Sequence, residues 1–312
     1  MHKKIVVLLL ALFFLAMAGL SIWQVQEKGG PAAAYGPDTV GVIEINGAIS
    51  AESPTNLFGS AGASSDDIMD AIKTARERED IKVLLLRINS PGGTAVASQE
   101  IGIELDKLRS AGKKVVVSMG EVCASGGYWI ACSSDHIVAN GGSLTGSIGV
   151  IMELTNIEGL YEKLGLQQEV IKSAPHKDIG SSYRDMTPEE RKLLQDIVDD
   201  SYEQFLDQVR RGRRGKIEED KLMQIADGRI FSGRMGLEMG LVDSLGNYYD
   251  AIDVARSIAG LDSNSRIEVL NGSLYWDQFI KRLVPGGQVL NSGRLDLGYP
   301  GLKYIYPGRV QG

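Results

Sequence analysis

The chain has 312 residues, 43% hydrophobic and 23% charged, with a formal net charge of −7. That length suits one large domain or two small ones, and the composition is that of an ordinary globular protein. The acidic balance argues against a nucleic-acid partner, which would require a basic face.

His2-Lys3-Lys4 precede an uncharged apolar run from Ile5 to Trp23, close to the ~20 residues that span a bilayer as a helix. Residues 1–25 are therefore expected to be a signal-anchor in contact with membrane lipid. The lysines would hold the N-terminus in the cytoplasm and send the remaining chain across. Ala16-Met17-Ala18 also fits a cleaved signal peptide. On either reading the bulk of the chain is extracytoplasmic. Residues 26–38 form a Gly/Pro/Ala-rich linker.

Strand and helix signals then alternate. Val40 to Ile45 reads as a strand, and Ser64-Ser65-Asp66-Asp67 caps a helix through about Arg78. Val83 to Ile88 is a continuous apolar strand of the kind covered on both faces. Asn89-Ser90-Pro91-Gly92-Gly93 is a sharp turn, followed by a helix from about Ala95 to Leu108 and a strand at 115–119. A helix then begins near Ser125, with short strands expected at Ile137-Val138 and Gln168 to Ile171. This rhythm predicts an α/β domain with a largely parallel sheet. Cys123 and Cys132 lie at the two ends of the helix near Ser125. They are too few for a disulfide framework and make no zinc pattern, so they read as small buried hydrophobes.

From Thr187 the pattern turns helical. Thr187 caps, Pro188 takes the first position, and a long amphipathic helix runs to about Val209. Arg210 to Arg214 reads as a solvated basic loop. Two or three helices follow, one from Ser232 to Met239 with Gly240 as C-cap, where Leu237, Met239 and Leu241 look like core. Domain boundaries are expected at 39–262 for the catalytic domain and 263–312 for a C-terminal extension and tail.

In parallel α/β sheets the ligand site lies beyond the carboxyl ends of the strands. Two glycine-rich loops occupy such positions, Ser90-Pro91-Gly92-Gly93 and Ala124-Ser125-Gly126-Gly127. The first can present bare backbone N–H groups to an oxyanion. The second sets a hydroxyl at a helix start. Together they outline an acyl-transfer site in need of a base. One choice is His176 with Asp178, although two positions is a short reach for an orienting acid. The other is Lys177, which works as a base only when neutral and so needs a hydroxyl partner such as Ser147. His136 reads as a strand residue. Spacing leaves these alternatives open.

INSPGG, ASGGYWIA, LTGSIGVI and the lysine of PHKDIG, in this order, closely resemble the SppA-type signal peptide peptidases of the protease IV family. The likeness runs from about Val40 to Leu245. It implies a ClpP/crotonase-like α/β fold with short parallel strands, following one N-terminal transmembrane helix, and a serine endopeptidase that needs no cofactor. Carried over by motif, Ser125 is the nucleophile, Lys177 the general base and Ser147 the hydroxyl that orients the lysine. Gly92 and the N–H of Ser125 would form the oxyanion hole. The chain resembles the half-length form of the family. That form implies a ring-like homo-oligomer whose sites draw serine and lysine from neighbouring subunits, acting on signal-peptide remnants and other apolar segments. The rival functions are a crotonase-type acyl-thioester enzyme and a membrane protease or scaffold directed at a stomatin-like partner.

Overall fold

The structure is a computed structural model that describes residues 38–51, 62–271 and the backbone of 303–305. The expected signal-anchor, nearly all of the linker and most of the tail lie outside the described residues. No helix among the described residues is long and apolar enough to cross a membrane.

In chain order the elements are β1 (Thr39–Asn46), β2 (Ile49–Ser50), β3 (Ala63–Ser64), α1 (Ser65–Glu77), β4 (Ile81–Ser90), β5 (Gly92–Thr94), α2 (Ala95–Ser110) and β6 (Lys114–Ala124). Then come α3 (Gly126–Ala131), β7 (His136–Ala139), β8 (Leu144–Gly146), α4 (Glu158–Lys163), α5 (Pro188–Gly212) and α6 (Glu219–Ile225). The last are β9 (Ile230–Ser232), α7 (Gly233–Met239), β10 (Ser244–Leu245), α8 (Tyr248–Ala259), β11 (Arg266–Val269) and β12 (Lys303–Ile305).

The main sheet runs β10-β7-β6-β4-β1-β11, all parallel, and β8 extends it by pairing with the far end of β6. Among the described residues only β9 in this sheet runs antiparallel, against β8. Helices cover both faces, which explains the unbroken apolar run of β4. Leu84, Leu86 and Ile88 join the core beneath α1 and α2 with Ile72, Ile101 and Leu105. Val83 and Leu85 face the other way, onto Ala251, Ile252 and Ala255 of α8.

Local capping signals set the helix ends. Ser64 Oγ accepts from the Asp67 N–H at 3.3 Å. Thr187 and Glu190 form a capping box at the start of α5, and Gly240 ends α7 in the left-handed region. A second small sheet, β12-β5-β2-β3, borders the main one. Its middle strands approach so closely that a Cβ on Gly93 would stand 1.8 Å from the Ile49 carbonyl oxygen.

Four expectations need correction. No strand forms over 168–171; the segment is exposed, Ile171 to 95%, and no sheet edge meets it. Strand β6 does not stop at 119 but continues to Ala124, because β8 offers its end a new partner. The arginine cluster is not all solvated. Arg213 is buried, donating to both oxygens of Asp243 at 2.9 Å and to the Gly240 carbonyl. Leu237 is partly exposed, on the outer side of α7, whereas Leu241 is fully buried.

Candidate active site

Strand β6 delivers Ser125 and fixes it from both sides. Past Met119 the strand leaves register with β4 and takes up β8, pairing Val122, Cys123 and Ala124 with Leu144, Thr145 and Gly146. Asn89 supports the crossing by accepting the Val122 N–H at 3.1 Å. The Ser125 N–H then donates to the Gly146 carbonyl at 2.8 Å, and its own carbonyl accepts the Trp129 N–H at 2.8 Å. Held this way, Ser125 adopts φ 52° and ψ −117°. A side-chain-bearing residue in such a region carries roughly 1–3 kcal/mol of strain, which persists only where the surroundings enforce it. Its hydroxyl does not cap α3, so an ordinary helix start does not account for this serine.

Among the described residues the only other non-glycine with positive φ is Ser147, also at 52°. It follows Gly146, whose carbonyl holds Ser125, and its N–H donates to the Arg229 carbonyl at 2.8 Å. The two strained serines thus sit at the ends of adjacent paired strands. Ser147 borders a cleft of about 500 Å³ lined also by Val150, Tyr202 and Asp227.

The β4–β5 turn closes against the same point. A Cβ on Gly127 would come within 3.2 Å of the Ser90 carbonyl, and Ser90 pairs in register with Cys123. Gly92 has φ 107°, and its N–H donates to the buried Ser90 hydroxyl at 3.1 Å. Ser90 was not singled out in the sequence; only its place in INSPGG marks it. The N–H of Ser125, the other expected oxyanion donor, is held by the Gly146 carbonyl, as that of Gly92 is by the Ser90 hydroxyl. The neighbouring Gly126 opens α3, where N–H groups of the first turn have no intrahelical acceptor.

The possible bases lie elsewhere. His136 is a β7 residue whose Nε2 is 2.9 Å from Ser244 Oγ, and burial lowers its pKa. His176 points Nε2 at Glu189, 3.6 Å away. Asp178 is not its partner: Lys172 Nζ donates to Asp178 at 2.6 Å and Arg184 Nε at 3.0 Å. These hydrogen bonds, Arg184's first, hold the carboxyl well below the usual range. Lys177 is exposed, and its ammonium has no partner among the described residues. No described contact joins it to Ser125 or Ser147 of its own chain. The two thiols are buried; burial raises both, Cys132 to about 12, which removes them as nucleophiles.

Comparison with known proteins gives this geometry a context. A protein of Synechocystis sp., provisionally named a protease, is 47% identical over 220 residues, covering 70% of this chain and 74% of its own. Protease 4 of Salmonella typhi is 38% identical, covering 72% of this chain and 35% of its own, so the chain matches about a third of that longer protein. The chloroplastic serine protease SPPA of Arabidopsis thaliana is 33% identical over 81% of this chain and 36% of its own. The solved structure of a membrane-bound stomatin-specific protease in complex with a substrate peptide aligns with a TM-score of 0.44 at 14% identity, over 79% of this chain and 97% of its own. The model of Peptidase family S49 matches residues 107–262, a span that holds both strained serines and Lys177. The chain belongs to peptidase family S49 and is a signal-peptide-peptidase-type serine protease.

Proposed function

We propose that the chain is a membrane-anchored endopeptidase with a ClpP/crotonase-like fold and a Ser125–Lys177 dyad. It would cleave remnant signal peptides and other apolar unfolded segments outside the cytoplasm. The carrying observation is the pair of strained serines on adjoining strands, Ser125 and Ser147. A fold gains nothing in stability from two such residues, whereas a nucleophile and its supporting hydroxyl require fixed directions.

In this reading Ser125 Oγ attacks the peptide carbonyl while the neutral Lys177 amine takes its proton. Ser147 Oγ accepts from the amine and sets its direction. The oxyanion lies between the N–H groups of Gly126 and Gly92, the latter once the Ser90 hydroxyl turns aside. Lys177 then gives the proton to the leaving amine and activates a water that hydrolyses the acyl-enzyme. The substrate lies extended along β5 in the place that β12 takes in this structure, so β12 gives way to it. The β5 edge already accepts an antiparallel strand of this chain, with β12 in the register Ile305 to Gly92 and Tyr304 to Gly93.

The lysine comes from a neighbouring subunit of a ring. Two observations support this. Lys177 meets neither serine of its own chain, and the stretch leading to it leaves Leu160, Leu164, Leu166 and Ile171 half or more exposed. Co-assembly of Ser125→Ala with Lys177→Ala subunits tests the arrangement. Each variant alone should be inactive on an apolar fluorogenic peptide, and verified mixed assemblies should regain a fraction of native activity. Mixed assemblies without any activity would contradict a shared site.

A further inference from the structure

Between Ile148 and Glu190 no described residue is buried. Helix α4 has no buried residue either. Among the described residues the stretch that carries Lys177 therefore places no fully buried side chain in the core, Val150 at its start packing there only in part, and the first buried side chain after it is a carboxylate.

Arg184 connects that carboxylate to the lysine loop. Its NH1 and NH2 groups fork onto Glu190 at 2.8 and 2.5 Å, and its Nε donates to Asp178 at 3.0 Å. Glu190 is 2% exposed and stands in the first turn of α5, where its carboxylate also accepts the Thr187 N–H at 2.9 Å. Helix α5 in turn packs Phe205, Leu206 and Val209 into the core. Asp178 is the residue directly after Lys177, and Lys172 Nζ clasps it from the other side while also donating to the Pro175 carbonyl at 2.9 Å. A chain of charge-assisted bonds thus runs from the core, through Glu190, Arg184 and Asp178, to the backbone beside Lys177. Such bonds are stronger and more directional than neutral ones.

The same contacts decide the charge around the lysine. The charged or titratable groups of its loop are Lys172, His176, Asp178, Tyr183 and Asp185, and those presented by the α5 start are Glu189 and Glu190, with Arg184 between. Both Asp178 oxygens are engaged by cations, Glu190 is engaged by Arg184, Glu189 faces His176, and Asp185 accepts from the Asn156 amide. Among the described residues none of these carboxylates is paired with the Lys177 ammonium.

We propose that Arg184 is a positioning residue for peptide hydrolysis: by bridging Asp178 and Glu190 it fixes the loop that presents Lys177 and keeps the adjacent carboxylate from becoming the lysine's counter-ion. The inference rests on the reading of Lys177 as the base.

The test is steady-state hydrolysis of an apolar fluorogenic peptide by the full chain in mild detergent, from about pH 6 to pH 10, across the range where a lysine base would titrate. Arg184→Gln, Arg184→Lys, Asp178→Asn and Lys177→Ala are compared with the native protein, alongside melting temperature and assembly size. Arg184→Gln should lower kcat about 10- to 100-fold, the cost of a misplaced reacting group, with KM within about twofold. It should also move the rising limb of kcat/KM upward, because the Asp178 oxygen released by Arg184, with only Lys172 left on that carboxylate, favours the charged lysine. Asp178→Asn should lower kcat without that upward move. Arg184→Lys keeps a cation but not the fork, so it should lose kcat part way with the limb in place, and it serves where the Gln variant does not fold. Native kcat and limb in a folded, assembled Arg184→Gln protein would overturn the proposal. So would losses that merely track the melted or dissociated fraction with the limb unmoved. Full activity in Lys177→Ala would instead overturn the base reading itself, a distinct result.

Discussion

Replacing Gly93 with alanine tests how tightly the β5 edge is tied to the chemistry. Gly93 pairs with Ile49 of β2 in parallel register. The added methyl would stand 1.8 Å from the Ile49 oxygen and 2.5 Å from its carbonyl carbon. Both are backbone atoms, so neither can swing aside. Restoring even 3.0 Å requires the strands to part by about 1.2 Å. Ile49 is 1% exposed and packed into the core, so β5 takes most of the displacement and carries Gly92 away from Ser125. A misplacement of about 1 Å near reacting groups costs on the order of 100-fold, or about 2.7 kcal/mol of barrier. The assay is kcat/KM on an apolar fluorogenic peptide, with melting temperature recorded in parallel. Gly141→Ala is the control, since a Cβ there meets nothing within 4 Å. The account expects the control to match the native enzyme and Gly93→Ala to fall by about two orders of magnitude. Equal kcat/KM for all three would refute the claim that this edge positions the site.

Further outcomes follow from the same geometry. Ser125→Gly should raise the melting free energy by about 1 kcal/mol relative to Ser125→Ala by relieving the positive φ, with both inactive; equal stability would remove strain from the description of the turn. Asp243 is 9% exposed and doubly bonded by Arg213. Burial would raise its carboxyl, but the Arg213 hydrogen bonds and charge outweigh burial and hold it at about 2, against an ordinary 3.8. The folded value is depressed, so the pair's contribution is present above about pH 4 and lost as pH falls through about 2. It amounts to about 2 kcal/mol. Denaturant unfolding from pH 6 down to pH 2 should show a loss about 2 kcal/mol larger in the native protein than in Asp243→Asn, which keeps the other depressed carboxylates such as Asp178. That variant should itself be about 3 kcal/mol less stable at pH 7, because Arg213 keeps its buried charge.

Much of the fold was legible because its signals are local. The apolar runs of β1 and β4, the Thr187–Glu190 capping box and the Gly240 stop each announce themselves within a few residues. The strand order and the growth of β6 beyond residue 119 were not, because both depend on pairings between distant segments: β11 joins β1, and β8, some twenty residues further on, joins the end of β6. The false strand at 168–171 has the same cause: Val170 and Ile171 look like strand residues, yet no edge comes to meet them. Buried Arg213 looked like its neighbours Arg211 and Arg214 until Asp243 was placed beside it.

At the site, the glycine-rich turns pointed to Ser125, Gly92 and Ser147; Ser125 and Ser147 follow the paired ends of β6 and β8, and Gly92 begins β5 of the smaller sheet. That Gly146 reaches the Ser125 N–H is a pairing across strands that no spacing reveals. The fate of Asp178 was likewise hidden. Its nearness to His176 suggested a triad, whereas the fold commits it to Lys172 and Arg184.

Peptide hydrolysis by native protein and Lys177→Ala, each shown to be folded and assembled alike, bears most directly on the Ser–Lys mechanism. The account predicts cleavage by the native chain and a loss of kcat/KM of at least about 1,000-fold in the variant, in the range seen when a nucleophile loses its base. Equal cleavage by both proteins would show that Ser125 is served by some other base and would contradict the dyad.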